Sequence, residues 1–537
     1  MRVYDDIVVG GGHNGLVLAA YLARAGEKVL VLERRDRLGG ACVTEETWPG
    51  FRVSTAAYVV SLFRPEIVRD LELARHGYAV LRRDPSSFTP FPDGRHLLLG
   101  PDRALSRREV AKFSARDAER LPEYEAMLER IAAAIEPTLL VTPPDPFSGR
   151  VWDLLRVLAL GGRFLRLGRD GPRAIEILTG AARDVLERWF ESDELKATLA
   201  TDAIIGAWAA PSSPGTAYVL FHHVMGEVDG ARGVWGYVRG GMGALPEAIA
   251  AAARRLGAEI RVSAPVARIL VEDGAAAGVA LEDGTELRSR RVASSADATR
   301  TLLDLVGEGH LPAEVAAAAR RIDYASGSVK INVALDRLPS FRALPSGGPD
   351  PGPQHRGTIH VAPSLAYIER AFDDARAGIP SRAPVLECTL PSAVDPTVAP
   401  PGKHLMSMFV QYAPYRLATG SWDVERERFA DRCFDALEEY APGFRSSVVA
   451  REVLTPVDLE RRFGLTGGNI FQGAMTLPQL FSMRPIPGYA DYRTPIRNLY
   501  LCGAATHPGG GVMGACGHNA AREMLRDRRR GWPRRPE

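Results

Sequence analysis

At 537 residues the chain is too long for one simple core, so two domains are expected. Hydrophobic residues make up 46% and charged residues 25%, an ordinary globular composition, and a formal net charge of +2 supplies no field that would draw it to nucleic acid. No apolar run reaches the length of a membrane span, and strand-like residues begin too early for a signal peptide, so a cytoplasmic setting is expected. Only five lysines occur, so nearly all basic residues are Arg; with many Ala, this looks like a GC-rich bacterial genome. Cys42, Cys388, Cys433, Cys502 and Cys516 are scattered and odd in number, without CxxC or metal-ligand spacing. They read as free thiols in a reducing compartment, with no metal site and no redox pair.

In chain order, Ile7-Val8-Val9 is an apolar run suited to a parallel strand buried on both faces. Gly10 to Gly15 follow and satisfy G-x-G-x-x-G, and Leu16 to Ala23 keep an apolar helical face up to Gly26. A second apolar strand, Val29 to Leu32, ends on Glu33. Gly10 permits the tight turn, Gly12 lets the backbone approach a pyrophosphate, and Gly15 lets the helix pack closely. The helix N-terminus offers N–H groups to the phosphates, and Glu33 can accept both hydroxyls of an adenosine ribose. Strand, loop, helix, strand and acid in this order define a dinucleotide site.

Further along, Val151, Leu154, Leu155, Leu158 and Leu165 share one helical face, while Asp153, Arg156, Arg163 and Arg166 share another. Such a basic amphipathic helix either covers a core as a lid or lies on an anionic membrane surface; Gly161-Gly162 weakens both helical readings. His222-His223 suit packing in a substrate domain better than metal binding. Gly240-Gly241-Met242-Gly243 opens a helix through Ala252, and Glu259 to Ile269 reads as a strand pair. A short strand, Asn498 to Gly503, precedes a glycine-rich stretch and a last helix. Gly509, Gly511 and Gly514 again match GxGxxG, but no βαβ unit and acid follow, so this is no second nucleotide domain. The segment Arg526 to Arg535 holds six Arg and reads as a solvated tail.

These motifs resemble the phytoene-desaturase-like flavoproteins, closest to the branch called pyridine nucleotide-disulfide oxidoreductase domain-containing protein 2. Gly10–Gly15, Gly39–Thr44, Ser54–Pro65, 222–226, Gly240–Gly243, Gly467–Phe471 and Leu499–Asn519 carry the resemblance. It implies an α/β fold with a Rossmann-type FAD-binding domain of the glutathione-reductase type, interleaved with an α+β substrate domain. Residues 1–75, 226–300 and 470–537 would form the FAD domain, and 76–225 and 301–469 the substrate domain. The redox cysteines of disulfide reductases are missing. So is the usual amine-oxidase acid after the C-terminal strand, where Ala504-Ala505-Thr506 stand, and any motif for covalent flavin attachment.

The resemblance implies non-covalent FAD held by Gly10, Gly12, His13, Asn14, Gly15, Glu33 and Arg34, then Gly39, Gly40 and Ala41. The Val266 backbone would meet the adenine, and Gly503, Gly511, Val512 and Met513 the flavin. Three catalytic candidates follow: His507 beside the flavin-facing glycines, or else a cap of that loop; Tyr237, with Trp235, as a ring wall or strand core; and Tyr58. The expected reaction passes a hydride from a large apolar polyene, polyketide or isoprenoid-like substrate to the flavin, as a desaturase or dehydrogenase. Saturation, isomerisation, reductive cyclisation or amine oxidation on the same scaffold are alternatives, as is a non-catalytic lipid-protein chaperone. An apolar tunnel, with peripheral membrane contact as a further option, would serve such a substrate.

Overall fold

The computed structural model describes residues 4–228 and 230–532. The first strand, β1 (Tyr4–Val9), leads through the glycine loop into helix α1 (His13–Arg24) and strand β2 (Val29–Leu32). All of β2 and all of β1 but Asp5 are buried, the condition that makes a continuous apolar run favourable in a parallel strand. β1 lies between β2 and Glu286–Ser294; Glu259–Arg261 adds beyond β2, and Leu499–Leu501 beyond Glu286–Ser294, all parallel. In chain order these strands stand 3-2-1-4-5. In such a doubly wound sheet the ligand crevice opens at the carboxyl end of the first strand, where strand order reverses.

Residues 259–269 do not pair with each other. Glu259–Arg261 joins the parallel sheet, whereas Val266–Glu272 forms a hairpin with Ala275–Leu281 that continues into Glu286–Ser294. The alternation of that stretch fits both roles, and only the long-range partners decide between them.

The second large sheet has the order Val448–Leu454, Ser328–Leu335, His404–Gln411, Val385–Thr389, Thr358–Val361, Ser87–Pro90, His96–Leu99. Only the pairing of Thr358–Val361 with Ser87–Pro90 is parallel. One face packs Ile331, Val333, Leu386, Cys388, Met406 and Met408 against Phe429, Cys433 and Leu437 of the helix Trp422–Tyr440. Side chains alternate between the faces of a strand, so the intervening Lys330, Glu387 and Phe409 point the other way. With Thr358 and His360 they face a large cavity. Across it, Ala115–Ile135, Asp193–Ala200 and Thr216–Val224 belong to a helical layer with its own hydrophobic core.

The first sheet takes its strands from 4–32, 259–294 and 499–501, the second from 87–99 and 328–454, so the chain passes repeatedly between them. The two chain ends meet where the helix Ala515–Arg530 packs on α1. A Cβ on Gly517 would stand 2.0 Å from the Asn14 carbonyl oxygen, so only glycine fits this crossing. Arg493 anchors the same helix: its guanidinium donates to both carboxylate oxygens of Asp527 and to Glu523, all largely buried. The Tyr500 hydroxyl donates to Asp527 as well. The arginine-rich segment is helical to Arg530, and its last arginines lie outside the described residues.

All five cysteines are buried and free. Among the described residues no group of three or more acidic, His or Cys side chains could hold a metal ion, and no helix is long and apolar enough to cross a membrane.

Candidate active site

A single cavity of about 1120 Å³ runs from the end of β1 to the inner face of the second sheet. Single small-molecule sites usually occupy roughly 300–1,000 Å³, so this space lies just above the upper end of that range.

At one end, Gly10 adopts φ +98°, which turns the chain out of β1. A Cβ on Gly15 would stand 2.2 Å from the Gly10 carbonyl oxygen, which fixes glycine at that position through the loop itself. At Gly12 the nearest atom to an added Cβ is 3.9 Å away, because this position faces the cavity. The N-terminus of α1 has no side-chain cap, leaving its first amides for an anion. Asn14 lines the cavity and its buried Oδ1 has no partner. Glu33 is buried at the tip of β2, accepting from the Gly11 amide at 2.7 Å and the Arg35 amide at 2.9 Å. Ala264, Pro265 and Val266 lie beside it, where an adenosine would follow from the ribose. A bare pyrophosphate cradle, an acid at ribose distance and an unpartnered buried amide oxygen together fit a dinucleotide.

His13, Arg34, Gly39, Gly40, Ala41, Gly503, Gly511 and Val512 also line the cavity. The Gly39 amide donates to the Gly11 carbonyl at 2.9 Å, tying the Gly-Gly pair to the phosphate loop. Met513 does not line it: its side chain packs in the hydrophobic core, and its carbonyl accepts from the Arg64 amide. Two buried residues support the C-terminal segment, His222 of the His pair noted in the sequence and Arg484, which had no sequence signal. His222 hydrogen-bonds the Gly510 carbonyl at 3.1 Å. The fully buried Arg484 donates to the carbonyls of Phe471, Gly473, Ala474, Gln479 and Ala504.

Of the three catalytic candidates only Tyr58 lines the cavity. His507 turns its Nε2 to the Thr138 carbonyl at 3.1 Å, and burial lowers its pKa to about 4. It serves as a loop support. Tyr237 is buried in a strand paired with Val80–Arg82, its ring under the Arg83 guanidinium.

Tyr58 belongs to a polar group that the sequence reading missed. Its hydroxyl donates to Glu387 Oε1 at 2.6 Å, its ring stacks on Phe409, and Lys330 Nζ lies 5.2 Å from its centroid. Lys330 donates to Asn332 and Ser407. Arg83, Asp202, His223 and His360 face the same space. Burial raises the Glu387 carboxyl to about 7, against the opposing Tyr58 hydrogen bond, and raises Asp202 to about 6. Burial also lowers Lys330 to about 7 and His360 to about 3. Acids pushed up and bases pushed down inside one cavity are the condition in which protons move near neutral pH. Leu62, Leu121, Leu128, Leu220, Trp235 and Ile470 give the same cavity an apolar stretch of wall. The expected apolar tunnel is therefore corrected: ionisable side chains line the same cavity.

The fold and this cavity define a flavoprotein of the glutathione-reductase type. The profile of the family "Flavin containing amine oxidoreductase" matches residues 15–525, and the chain belongs to that family, with FAD as its cofactor. It is 48% identical over 98% of its length to mouse pyridine nucleotide-disulfide oxidoreductase domain-containing protein 2, covering 94% of that protein. It is 26% identical to a phytoene desaturase (lycopene-forming) from Pseudescherichia vulneris, covering 95% of this chain and 96% of the other. Among solved structures, cyclohexylamine oxidase from Brevibacterium oxydans superposes with a TM-score of 0.58 at 17% identity, over 98% of this chain and all of that one. Since a mammalian protein is this similar, the Arg- and Ala-rich composition does not establish a bacterial source.

Replacing Glu33 by Ala removes a charged acceptor, which costs about 1.5–3 kcal/mol, or roughly ten- to a hundredfold in FAD affinity, measured by flavin fluorescence on release. The Glu387 carboxyl should give an infrared band of the protonated acid that is lost in Glu387→Gln and titrates away as pH rises through about 7. In Tyr58→Phe the hydrogen bond that favours the carboxylate is gone, so the band should persist to higher pH.

Proposed function

We propose that the protein is an FAD-dependent dehydrogenase of the desaturase type, acting on a large substrate that is apolar along its length and polar near the reacting end. The observation that carries this reading is the composition of the large cavity, where leucines and Ile470 stand with Tyr58, Glu387, Lys330 and Asp202. Bound FAD supplies the two-electron acceptor, so that a substrate carbon can lose hydrogen as hydride. The protein supplies position, exclusion of water and a place for the second proton. Leu121, Leu128 and Leu220 would hold the apolar body, burial favouring it by about 25 cal/mol per Å². Glu387, oriented by the Tyr58 hydroxyl, would take a proton from the carbon next to the one oxidised. The phytoene desaturase likeness supports this direction.

Amine oxidation is the second reading, favoured by the family and by Glu387 and Asp202 as carboxyls able to hold an ammonium. Mixing the oxidised holoenzyme anaerobically with a panel of compounds separates the two. Long-chain terpenoid or polyene alcohols and acids should bleach the flavin, and NADH and NADPH should do so slowly if at all. Bleaching confined to small hydrophilic amines would overturn the first reading in favour of the second.

A further inference from the structure

Of the large hydrophobic side chains that the structure leaves exposed, most fall between Val141 and Ile175. At their centre is the helix Val151–Arg166, which has no buried residue. It has two apolar faces. Val157, Leu160 and Phe164 are half-buried at intervals of three and four, and Phe164 packs on the helical core. Val151, Leu154, Leu155, Leu158 and Leu165 point to solvent, joined by Trp152, which is 73% exposed. The amphipathic pattern in the sequence is thus present, but its apolar face is turned outward. Gly161 and Gly162 do not break the helix, which runs unbroken through both.

The charges bordering this face are nearly all of one sign. Arg156 and Arg163 flank it seven residues apart, and Arg150, Arg166 and Arg169 stand at its ends. Its acids are engaged: Asp153 accepts from Ser148 and lies 3.8 Å from the Arg156 guanidinium, while Asp170 is paired with Arg130 and Arg173, so Arg163, Arg166 and Arg169 keep the excess positive charge. The C-terminal end of the helix lies near an exposed edge of the cavity. Arg103, Glu125 and Glu129 line the cavity while their side chains are more than a third exposed. The next residue after Glu129, Arg130, bonds Asp170 just beyond the helix at 2.7 Å.

We propose that the outward face of the helix Val151–Arg166 docks on the headgroup region of an anionic phospholipid bilayer, placing that edge of the cavity at the membrane surface. Leucines and a tryptophan would enter the acyl boundary while the flanking guanidiniums meet lipid phosphates, the arrangement of a helix lying in the interface. The clustered arginines favour this occupant over a second copy of the chain, whose matching face would bring the same charges together.

The test is flotation of the full-length, FAD-loaded protein with phosphatidylcholine vesicles, with and without phosphatidylglycerol, alongside its sedimentation in vesicle-free buffer. Binding should need phosphatidylglycerol and weaken at high salt. It should fall at least about tenfold in the triple variant Trp152→Ser, Leu155→Ser, Leu158→Ser, and also in Arg156→Gln with Arg163→Gln. These positions are outside the core, so FAD content and melting temperature should be unchanged, which separates lost docking from lost folding. The proposal is overturned by failure to bind anionic vesicles, by binding that the variants leave intact, or by a dimer in buffer that the leucine variant dissolves.

Discussion

At Asn14 and Gly517 two backbones from opposite ends of the chain come so close that a single Cβ would collide with a carbonyl oxygen. That approach sets the helix Ala515–Arg530 against α1, and so brings the glycine-rich segment before it to the cavity that the phosphate loop also lines. Gly15 against the Gly10 carbonyl is the second contact of this kind. Together they fix the tight turn and the free amides of α1 relative to Gly503, Gly511 and Val512. The Arg493 network with Asp527 and Glu523, and Arg484 with its row of carbonyls, hold that placement. Removing one partner from a buried ionic network leaves an uncompensated charge at a cost of about 3–5 kcal/mol. These are therefore strong constraints on how far the flavin end of the cavity can relax.

The other half of the cavity rests on the period of a β-strand. The inner face of the second sheet carries Lys330, Thr358, His360 and Glu387 where an apolar surface would cost nothing. An isolated buried charge is expensive unless it is paired or neutralised, and neutralisation is the direction in which Glu387, Asp202 and Lys330 are all displaced. A structural role is a poor explanation for so many ionisable side chains facing open space. A polar substrate end, or a proton to be moved, explains them together.

Much of the flavin half was legible from local sequence. The turn, the approach to phosphate and the ribose acid each depend on residues within one βαβ unit, so spacing alone locates them. The substrate half was not, because its residues come from strands far apart in the chain. One signal was available: Lys330 and Glu387 are charged residues inside the otherwise apolar runs Ser328–Leu335 and Val385–Thr389. His507 misled for the opposite reason. Its neighbours line the cavity, but adjacency in sequence does not tell where an imidazole points, and this one turns to Thr138. For the helix Val151–Arg166 the pattern was readable but not its direction, since Val157, Leu160 and Phe164 form a second apolar face that the protein half-buries instead.

The central claim is that FAD and a large, mostly apolar substrate share one continuous cavity, with the substrate's polar end at Tyr58 and Glu387. The most direct measurement is titration of the oxidised holoenzyme with a conjugated polyene carboxylic acid, following the flavin absorption band and the polyene fluorescence together. Saturable binding of one molecule per FAD should shift the flavin band, with polyene emission quenched by the nearby flavin. Saturable binding that leaves the flavin band and the polyene emission unperturbed, or no binding at all, would contradict that claim.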